Sequence, residues 1–133
     1  MQLNNSNTIG SRSRPPQADE IPDQQKLRVA TVNVGSLNER EHEVVQTITR
    51  RKIDICCLQE INLAESGAKI ITGKDSEYKL FWAGNKDGIE GVGILIAEKW
   101  IDKDIQVIRP SDRLMILKIL VRKRVISIVS PYA

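Results

Sequence analysis

The chain has 133 residues, 41% of them hydrophobic, which is enough for one globular domain with its own core. No apolar stretch approaches the roughly 18 residues that a membrane-spanning helix needs. The N-terminus also lacks the charged-then-apolar pattern of a signal peptide, so the sequence predicts neither membrane insertion nor secretion. The net charge of +3 is compatible with a polyanionic partner but does not require one. We expect an intracellular protein, with a nuclear location left open.

The first 26 residues predict a flexible, disordered tail. They are rich in Asn, Ser, Gln and Pro and show no sustained apolar periodicity. Such a segment cannot bury enough surface to offset the entropy that ordering costs. We therefore expect the tail to cover residues 1–26 and the folded domain to cover residues 27–133.

The next segment predicts a strand, a helix and a second strand. Leu27–Val34 is rich in β-branched residues, and Ile53–Leu58 is a short apolar run typical of a strand buried on both faces. Asn38 is a candidate N-cap of the helix between them. The apolar residues at helical spacing in that helix are Val44, Val45 and Ile48. A helical crossover makes the two strands parallel, so both should end at the same edge of the sheet.

The two cysteines are adjacent, at Cys56 and Cys57 in the second strand. Neighbouring side chains of a strand point to opposite faces, so two buried free thiols are the favoured interpretation. A vicinal disulfide or a metal-binding pair is the less favoured alternative.

The second half of the chain predicts an antiparallel meander. Asn85–Gly88 is a turn signal, and Arg122–Arg124 is short enough to be a hairpin turn. The strands predicted on either side of these turns are Tyr78–Ala83, Gly91–Ala97, Leu114–Val121 and Val125–Ser130.

Three polar side chains at strand ends form the candidate site. Asn33 and Glu60 follow neighbouring parallel strands, which lie about 4.8 Å apart, so both can reach one ion or one phosphate. Their oxygens suit Mg²⁺ rather than zinc. The alternative, of equal weight from the residues alone, is that each caps a turn. Tyr132 closes the last strand, where its hydroxyl would either contact a phosphate or, as tyrosines there more often do, simply pack.

Two basic clusters are candidate nucleic-acid contacts. One is Arg50, Arg51 and Lys52, and the other is Arg122, Lys123 and Arg124. Lysine and arginine contacts to phosphates supply most of the non-specific affinity for DNA. The clusters are equally explained as a helix terminus and an exposed hairpin tip.

Four segments resemble the endonuclease/exonuclease/phosphatase superfamily, whose fold is DNase I-like. They are Leu27–Leu37, Ile53–Glu60, Gly91–Ile96 and Val125–Ala133. The resemblance is nearest to the apurinic-like endonuclease domains of LINE-type retrotransposons and to craniofacial development protein 2. It implies an α/β fold, the N-terminal half of a DNase I-like two-sheet α/β sandwich.

The resemblance also implies Mg²⁺-dependent hydrolysis of phosphoesters, with DNA as the partner and no small-molecule cofactor. By this resemblance Asn33 organises the metal site, Glu60 binds Mg²⁺ and Tyr132 contacts the scissile phosphate. The sequence departs from the family pattern at Val32, where the family usually has Trp. This departure does not affect the metal assignment.

The family's Asp-x-Asn and Asp-His motifs follow the tyrosine and are not in this sequence. We therefore expect a truncated DNA endonuclease domain that is inactive alone, because hydrolysis needs charge stabilisation and an activated water together. The alternative is a non-catalytic nucleic-acid-binding or protein-interaction fragment. A small phosphoester or phospholipid substrate is a further option that no membrane-docking segment supports.

Overall fold

Two β-sheets and one α-helix make up the part of the chain that the computed structural model describes, residues 2–9, 26–101 and 105–132. The six-stranded sheet has the order β1-β2-β3-β6-β5-β4, and the three-stranded sheet has the order β7-β8-β9. The elements are β1 Gln2–Ile9, β2 Leu27–Asn33, α1 Glu41–Arg50, β3 Ile55–Gln59, β4 Ser66–Thr72, β5 Glu77–Ala83, β6 Val92–Ala97, β7 Gln106–Ser111, β8 Leu114–Val121 and β9 Arg124–Pro131, with a 3-10 turn at Glu98–Trp100.

The predicted crossover is confirmed. β2 and β3 pair in parallel, with Val29 opposite Ile55 and Asn33 opposite Gln59. Helix α1 joins them and buries the three apolar residues that the periodicity singled out, Val44, Val45 and Ile48. Within the described ranges, no helix is long and apolar enough to cross a membrane.

The predicted helix cap is wrong. The residue that precedes α1 is Arg40, and no side chain caps the helix there. Asn38 lies two residues before that position and instead donates its amide to the carbonyl of Asn62, 3.2 Å away. Two acidic residues in the first turn, Glu41 and Glu43, favour the positive end of the helix dipole in place of a cap.

Alternation along β2 and β3 separates the core into two layers. Ala30, Val32, Cys56 and Leu58 pack in the layer under α1. The alternate side chains of β2 and β3, including Leu27, Ile55 and Cys57, face the three-stranded sheet. They pack with Met115, Leu117 and Ile119 of β8. The predicted free thiols are confirmed, because Cys56 and Cys57 are both buried and unbridged and lie in different layers.

The antiparallel second half is confirmed, but it divides between the two sheets. β4, β5 and β6 extend the first sheet, and β7, β8 and β9 form the second. The sequence did not predict β4 or β7. β4 buries only Ile71 fully and lies at the sheet edge, so its sequence carries little apolar signal. β7 buries none of its residues fully and contains Pro110.

Part of the predicted tail differs from the expectation. Gln2–Ile9 forms β1, which pairs antiparallel with β2 and places Gln2 opposite Asn33. The edge of β2 away from β3 offers backbone hydrogen-bonding groups to any extended segment, so this pairing does not need an apolar pattern. The prediction for residues 10–25 lies outside the described residues.

β9 runs alongside β3 in the facing sheet, and this direction positions the site. The Sγ atom of Cys57 lies 4.0 Å from the carbonyl oxygen of Val129. The hydroxyl of Ser130 lies 3.5 Å from the carbonyl oxygen of Gly93. The predicted hairpin before β9 is confirmed, with Arg122 and Lys123 in its turn at φ of 52° and 65°. β9 therefore ends above the point where β3 ends.

Candidate active site

Asn33 is the last residue of β2, and its side chain is exposed at the sheet edge. The side-chain oxygen Oδ1 accepts a hydrogen bond from the backbone N–H of Gly35 at 3.1 Å. Gly35 has a φ of 71°, a conformation that glycine adopts without steric cost. The turn thus fixes the amide oxygen, which has a second lone pair available to a ligand.

Glu60 directly follows β3 in the left-handed conformation, with a φ of 56°. Continued extended backbone would turn its side chain to the opposite face from Gln59, towards the α1 layer. The left-handed turn instead leaves the carboxylate at the edge facing β9. There Oε1 accepts a hydrogen bond from the hydroxyl of Tyr132 at 2.9 Å.

Tyr132 follows β9 and is fixed through its backbone as well. Its N–H donates to the carbonyl of Arg113 at 2.9 Å, and the Arg113 guanidinium lies 5.4 Å from the centre of its ring. The hydrogen bond to Glu60 raises the pKa of Tyr132 above its usual value, because ionisation would lose that bond and place a second negative charge beside the carboxylate. The phenol therefore stays a hydrogen-bond donor at neutral pH.

The structure brings two of the three predicted residues, Glu60 and Tyr132, into direct contact. The third, Asn33, ends the neighbouring strand and pairs with Gln59, the residue before Glu60. We call Asn33, Glu60 and Tyr132 the site rim.

A cleft of about 670 Å³ opens from the site rim between the two sheets. One wall is the inner face of β2 and β3, and the other is β9. The residues that line it are Val29, Thr31, Asn33, Cys57, Gln59, Ser127, Ile128, Val129, Pro131 and Tyr132. Polar side chains from the first sheet and the Tyr132 ring thus share one ligand-sized space.

Sequence reasoning missed a polar pair in this cleft. The side chain of Gln59 hydrogen-bonds the hydroxyl of Thr31 through both its nitrogen, at 3.1 Å, and its oxygen, at 3.2 Å. The predicted parallel pairing could have revealed it, because the register puts Thr31, Asn33 and Gln59 on one face of the sheet. The pair fixes the side chain that precedes Glu60.

Asn62 ties together the loops around the site rim. Its side-chain oxygen accepts the N–H of Glu90 at 2.7 Å, and its side-chain nitrogen donates to the carbonyl of Gly35 at 3.3 Å. Its own backbone N–H donates to the carbonyl of Glu90 at 2.8 Å. One side chain therefore links the loops after β2, β3 and β5, a role that the sequence did not reveal.

The two predicted basic clusters lie away from the site rim. Arg50–Lys52 ends α1 and precedes the start of β3, whereas Glu60 follows its end. Arg122–Arg124 forms the turn at the start of β9, whereas Tyr132 follows its end. We call these the far-end clusters, because the lengths of β3 and β9 separate them from the site rim by roughly 17 Å and 26 Å. They do not join the predicted metal residues in one site.

The donor set at the site rim fits Mg²⁺. One carboxylate and one amide oxygen are hard ligands, and magnesium takes few protein ligands and keeps several waters or substrate oxygens. Of the described residues, only Tyr132 hydrogen-bonds the Glu60 carboxylate, so an oxygen remains available to a cation. In the same ranges, no three His, Cys, Asp or Glu side chains converge as a metal-binding group. The set therefore does not resemble a closed zinc site.

The chain is similar to solved structures, whereas no protein-family model and no curated protein matches it. A 3'-5' exonuclease from Neisseria meningitidis matches with a TM-score of 0.51 and 20% identity, over 79% of this chain and 41% of that one. The endonuclease domain of TRAS1, a telomere-specific non-LTR retrotransposon, matches with a TM-score of 0.49 and 21% identity, over 80% and 46%.

The match to the exonuclease shows that this chain has the fold of part of a known nuclease, as the resemblance implied. The two-sheet α/β architecture that the resemblance implied is likewise confirmed. This chain spans less than half the length of either matched protein.

Proposed function

We propose that this chain is the N-terminal half of a Mg²⁺-dependent DNA endonuclease domain of the LINE-retrotransposon type, and that it is inactive alone. The observation that carries the proposal is the hydrogen bond between the Glu60 carboxylate and the hydroxyl of Tyr132, a residue that lines the cleft. The nuclease-like fold supports the same class of protein. We also propose that the chain is related to craniofacial development protein 2.

In this proposal each residue of the site rim has a separate task. Glu60 and Asn33 would hold the magnesium ion through their side-chain oxygens. The ion, when bound, supplies the positive charge that a phosphodiester needs to accept a nucleophile. Tyr132 would donate a hydrogen bond to a phosphate oxygen in place of the one that it makes to Glu60. The bond between Gln59 and Thr31 orients the strand end that carries Glu60.

Among the described residues, the activation of the attacking water has no candidate. His42, the one histidine of the sequence, is exposed on α1 and lies outside the site rim. The site rim itself offers no second acid or base that would activate water. We propose that residues following Tyr132 in related proteins supply this group. We therefore expect this chain to bind metal and DNA without cleaving DNA.

The test is a titration of the purified protein with Mn²⁺ as a paramagnetic substitute for Mg²⁺. Glu60→Gln should weaken binding at least tenfold, because it removes the one carboxylate of the proposed site. The matched control is Glu98→Gln, an exposed carboxylate at the opposite end of β6, which should leave affinity unchanged. Equal affinity in the wild type and Glu60→Gln would reject the metal assignment.

The inactivity is tested in parallel with supercoiled and abasic DNA in the presence of Mg²⁺. We expect no nicking above the level given by Glu60→Ala. Robust nicking by the wild type that disappears in Glu60→Ala would show that the chain is an active enzyme.

A non-catalytic binding or interaction fragment is the second candidate. It is favoured by the outer face of the three-stranded sheet, where the cross-strand pair Leu120 and Val125 is exposed. Exposed apolar patches mark interaction sites. The nucleic-acid form of this candidate uses the far-end clusters, Arg50, Arg51, Arg122, Lys123 and Arg124. It predicts DNA affinity that falls when these charges are reversed and does not depend on Glu60.

A further inference from the structure

The site rim carries negative charge, which repels the phosphates of a nucleic-acid backbone. The Glu60 carboxylate lies there, and Glu90 is held beside it through Asn62 and Arg113. The far-end clusters lie too far along the strands to neutralise a phosphate at this point. A polyanion bound over the cleft therefore needs cations of its own at this end of the molecule.

Arg113 is the first such cation. The Tyr132 N–H bonds its carbonyl, so its backbone is fixed next to the site rim. Its guanidinium lies over the Tyr132 ring and donates through Nη2 to Glu90 at 3.1 Å. Among the described residues this is its one side-chain hydrogen bond, and its side chain remains 51% exposed. Most of the five guanidinium N–H donors are thus available to a ligand.

Arg40 occupies the other flank. Its Nη1 donates to the carbonyl of Val34 at 2.9 Å, and Val34 is the residue that follows Asn33. Its ion pair with Glu43 is long, at 3.9 Å, and its side chain is 45% exposed. The guanidinium is therefore attached to the loop beside Asn33 while much of its surface faces solvent.

The ion pairs of both arginines are exposed to solvent. Exposed ion pairs such as Arg113–Glu90 contribute about 0–1 kcal/mol. Exchanging the Glu90 carboxylate for a phosphate therefore costs little, and arginine binds phosphate through two parallel N–H groups as readily as it binds carboxylate.

We propose that Arg40 and Arg113 form a pair of phosphate-binding residues that hold a nucleic-acid backbone on the two sides of the site rim. The proposal rests on the proposed function for its ligand class and replaces the far-end clusters as the main electrostatic contact. It makes the backbone cross the cleft mouth from the Asn33 side to the Tyr132 side, over Glu60.

The test is fluorescence anisotropy with a labelled DNA duplex in EDTA, repeated over a series of salt concentrations. Arg40→Gln and Arg113→Gln should each make the slope of log K against log salt shallower by about 0.9, the loss of one phosphate contact. Arg40→Lys and Arg113→Lys should restore most of the slope, because the charge is kept. The matched controls are Arg51→Gln and Arg124→Gln, which are exposed in the far-end clusters and should leave the slope unchanged.

Thermal unfolding of each variant verifies that the fold is intact. A slope that stays unchanged in Arg40→Gln and Arg113→Gln but falls in Arg51→Gln and Arg124→Gln would overturn the pair while leaving DNA as the ligand. A wild-type protein without salt-dependent DNA binding would overturn both the pair and the DNA partner. The Mn²⁺ titration separates these failures from failure of the metal site, because it uses no nucleic acid.

Discussion

Glu60 reaches Tyr132 only because its backbone adopts a conformation that disfavours any side chain. At a φ of 56° the Cβ atom approaches the following carbonyl, at a cost of roughly 1–2 kcal/mol for a residue other than glycine. Strain of this kind persists where the surrounding structure requires it, and it is concentrated at functional sites. Asn62 and Glu90, which surround the same site, also have positive φ values. The chain therefore accepts backbone strain in the loops around the site rim.

This strain predicts an unusual order of stability for substitutions of Glu60. Glu60→Gly should be more stable than Glu60→Ala by about 1 kcal/mol, because both lose the hydrogen bond to Tyr132 but only alanine keeps the Cβ atom. Urea unfolding measures the difference. The control is Glu43 in α1, where the order should reverse because glycine disfavours a helix. An alanine variant at Glu60 as stable as the glycine variant would mean that the backbone there is not strained.

The site was predictable from the sequence only where it depends on one βαβ unit. The neighbouring positions of Asn33 and Glu60 follow from a crossover that apolar periodicity and β-branched residues made visible. The assignment of Tyr132 to the site required the resemblance, because its position depends on how one sheet lies over another. Arg40, Arg113 and Asn62 were missed for the same reason. Their partners are set by loop geometry and not by any local pattern.

At the scale of elements, the strands that the sequence identified each bury at least two residues fully; these are β2, β3, β5, β6, β8 and β9. β3 and β6 have near-continuous apolar sequences and lie in the middle of their sheet. β4 and β7 lie at sheet edges and are mostly polar or half-exposed, so propensity gives them no clear signal. The order of the strands is likewise a result of pairing over long sequence distances.

Gly84 shows how tightly the end of β5 packs against the loop that leaves β3. Its N–H bonds the carbonyl of Glu65 at 2.6 Å. A Cβ atom added to Gly84 would lie 2.1 Å from the carbonyl oxygen of Leu63 and 2.8 Å from that of Glu65. Both obstacles are backbone atoms, so a side chain cannot simply rotate away.

We therefore expect Gly84→Ala to destabilise the protein by about 3 kcal/mol, the upper end of the range for overpacking. The measurement is the free energy of unfolding in urea. Thr72→Ala, at an exposed position at the end of β4, should change it by less than about 0.5 kcal/mol. A Gly84→Ala variant as stable as this control would show that the loop after β3 moves freely.

At the scale of the whole molecule, burial of titratable groups makes the fold sensitive to alkaline pH. Burial raises the pKa of Cys57 from 9.0 to about 11 and raises that of Cys56 further. Burial also raises the pKa of Tyr78, whose hydroxyl donates to the carbonyl of Ile53 at 2.7 Å. In the unfolded chain all three groups release their protons at their ordinary pKa values.

Stability should therefore be unaffected by these groups below pH 9 and should fall as pH rises from 9 to 11. In that window the unfolded state binds fewer protons than the native state, so each thiol removes up to about 1.4 kcal/mol per pH unit. Urea unfolding at several pH values measures the slope. Cys57→Ala should make the slope shallower, whatever its effect on stability at pH 7. An unaltered slope in this variant would assign the alkaline loss to other groups.

The two ends of the described chain meet at the same place. β1 puts Gln2 beside Asn33, and β9 delivers Tyr132 to Glu60. An affinity tag or dye attached at either end would therefore lie next to the site rim and compete with any ligand that binds there. The turn at Arg122–Lys123, about 26 Å away along β9, is a safer position for a label. Any polypeptide joined after Tyr132 begins its path beside the Glu60 carboxylate.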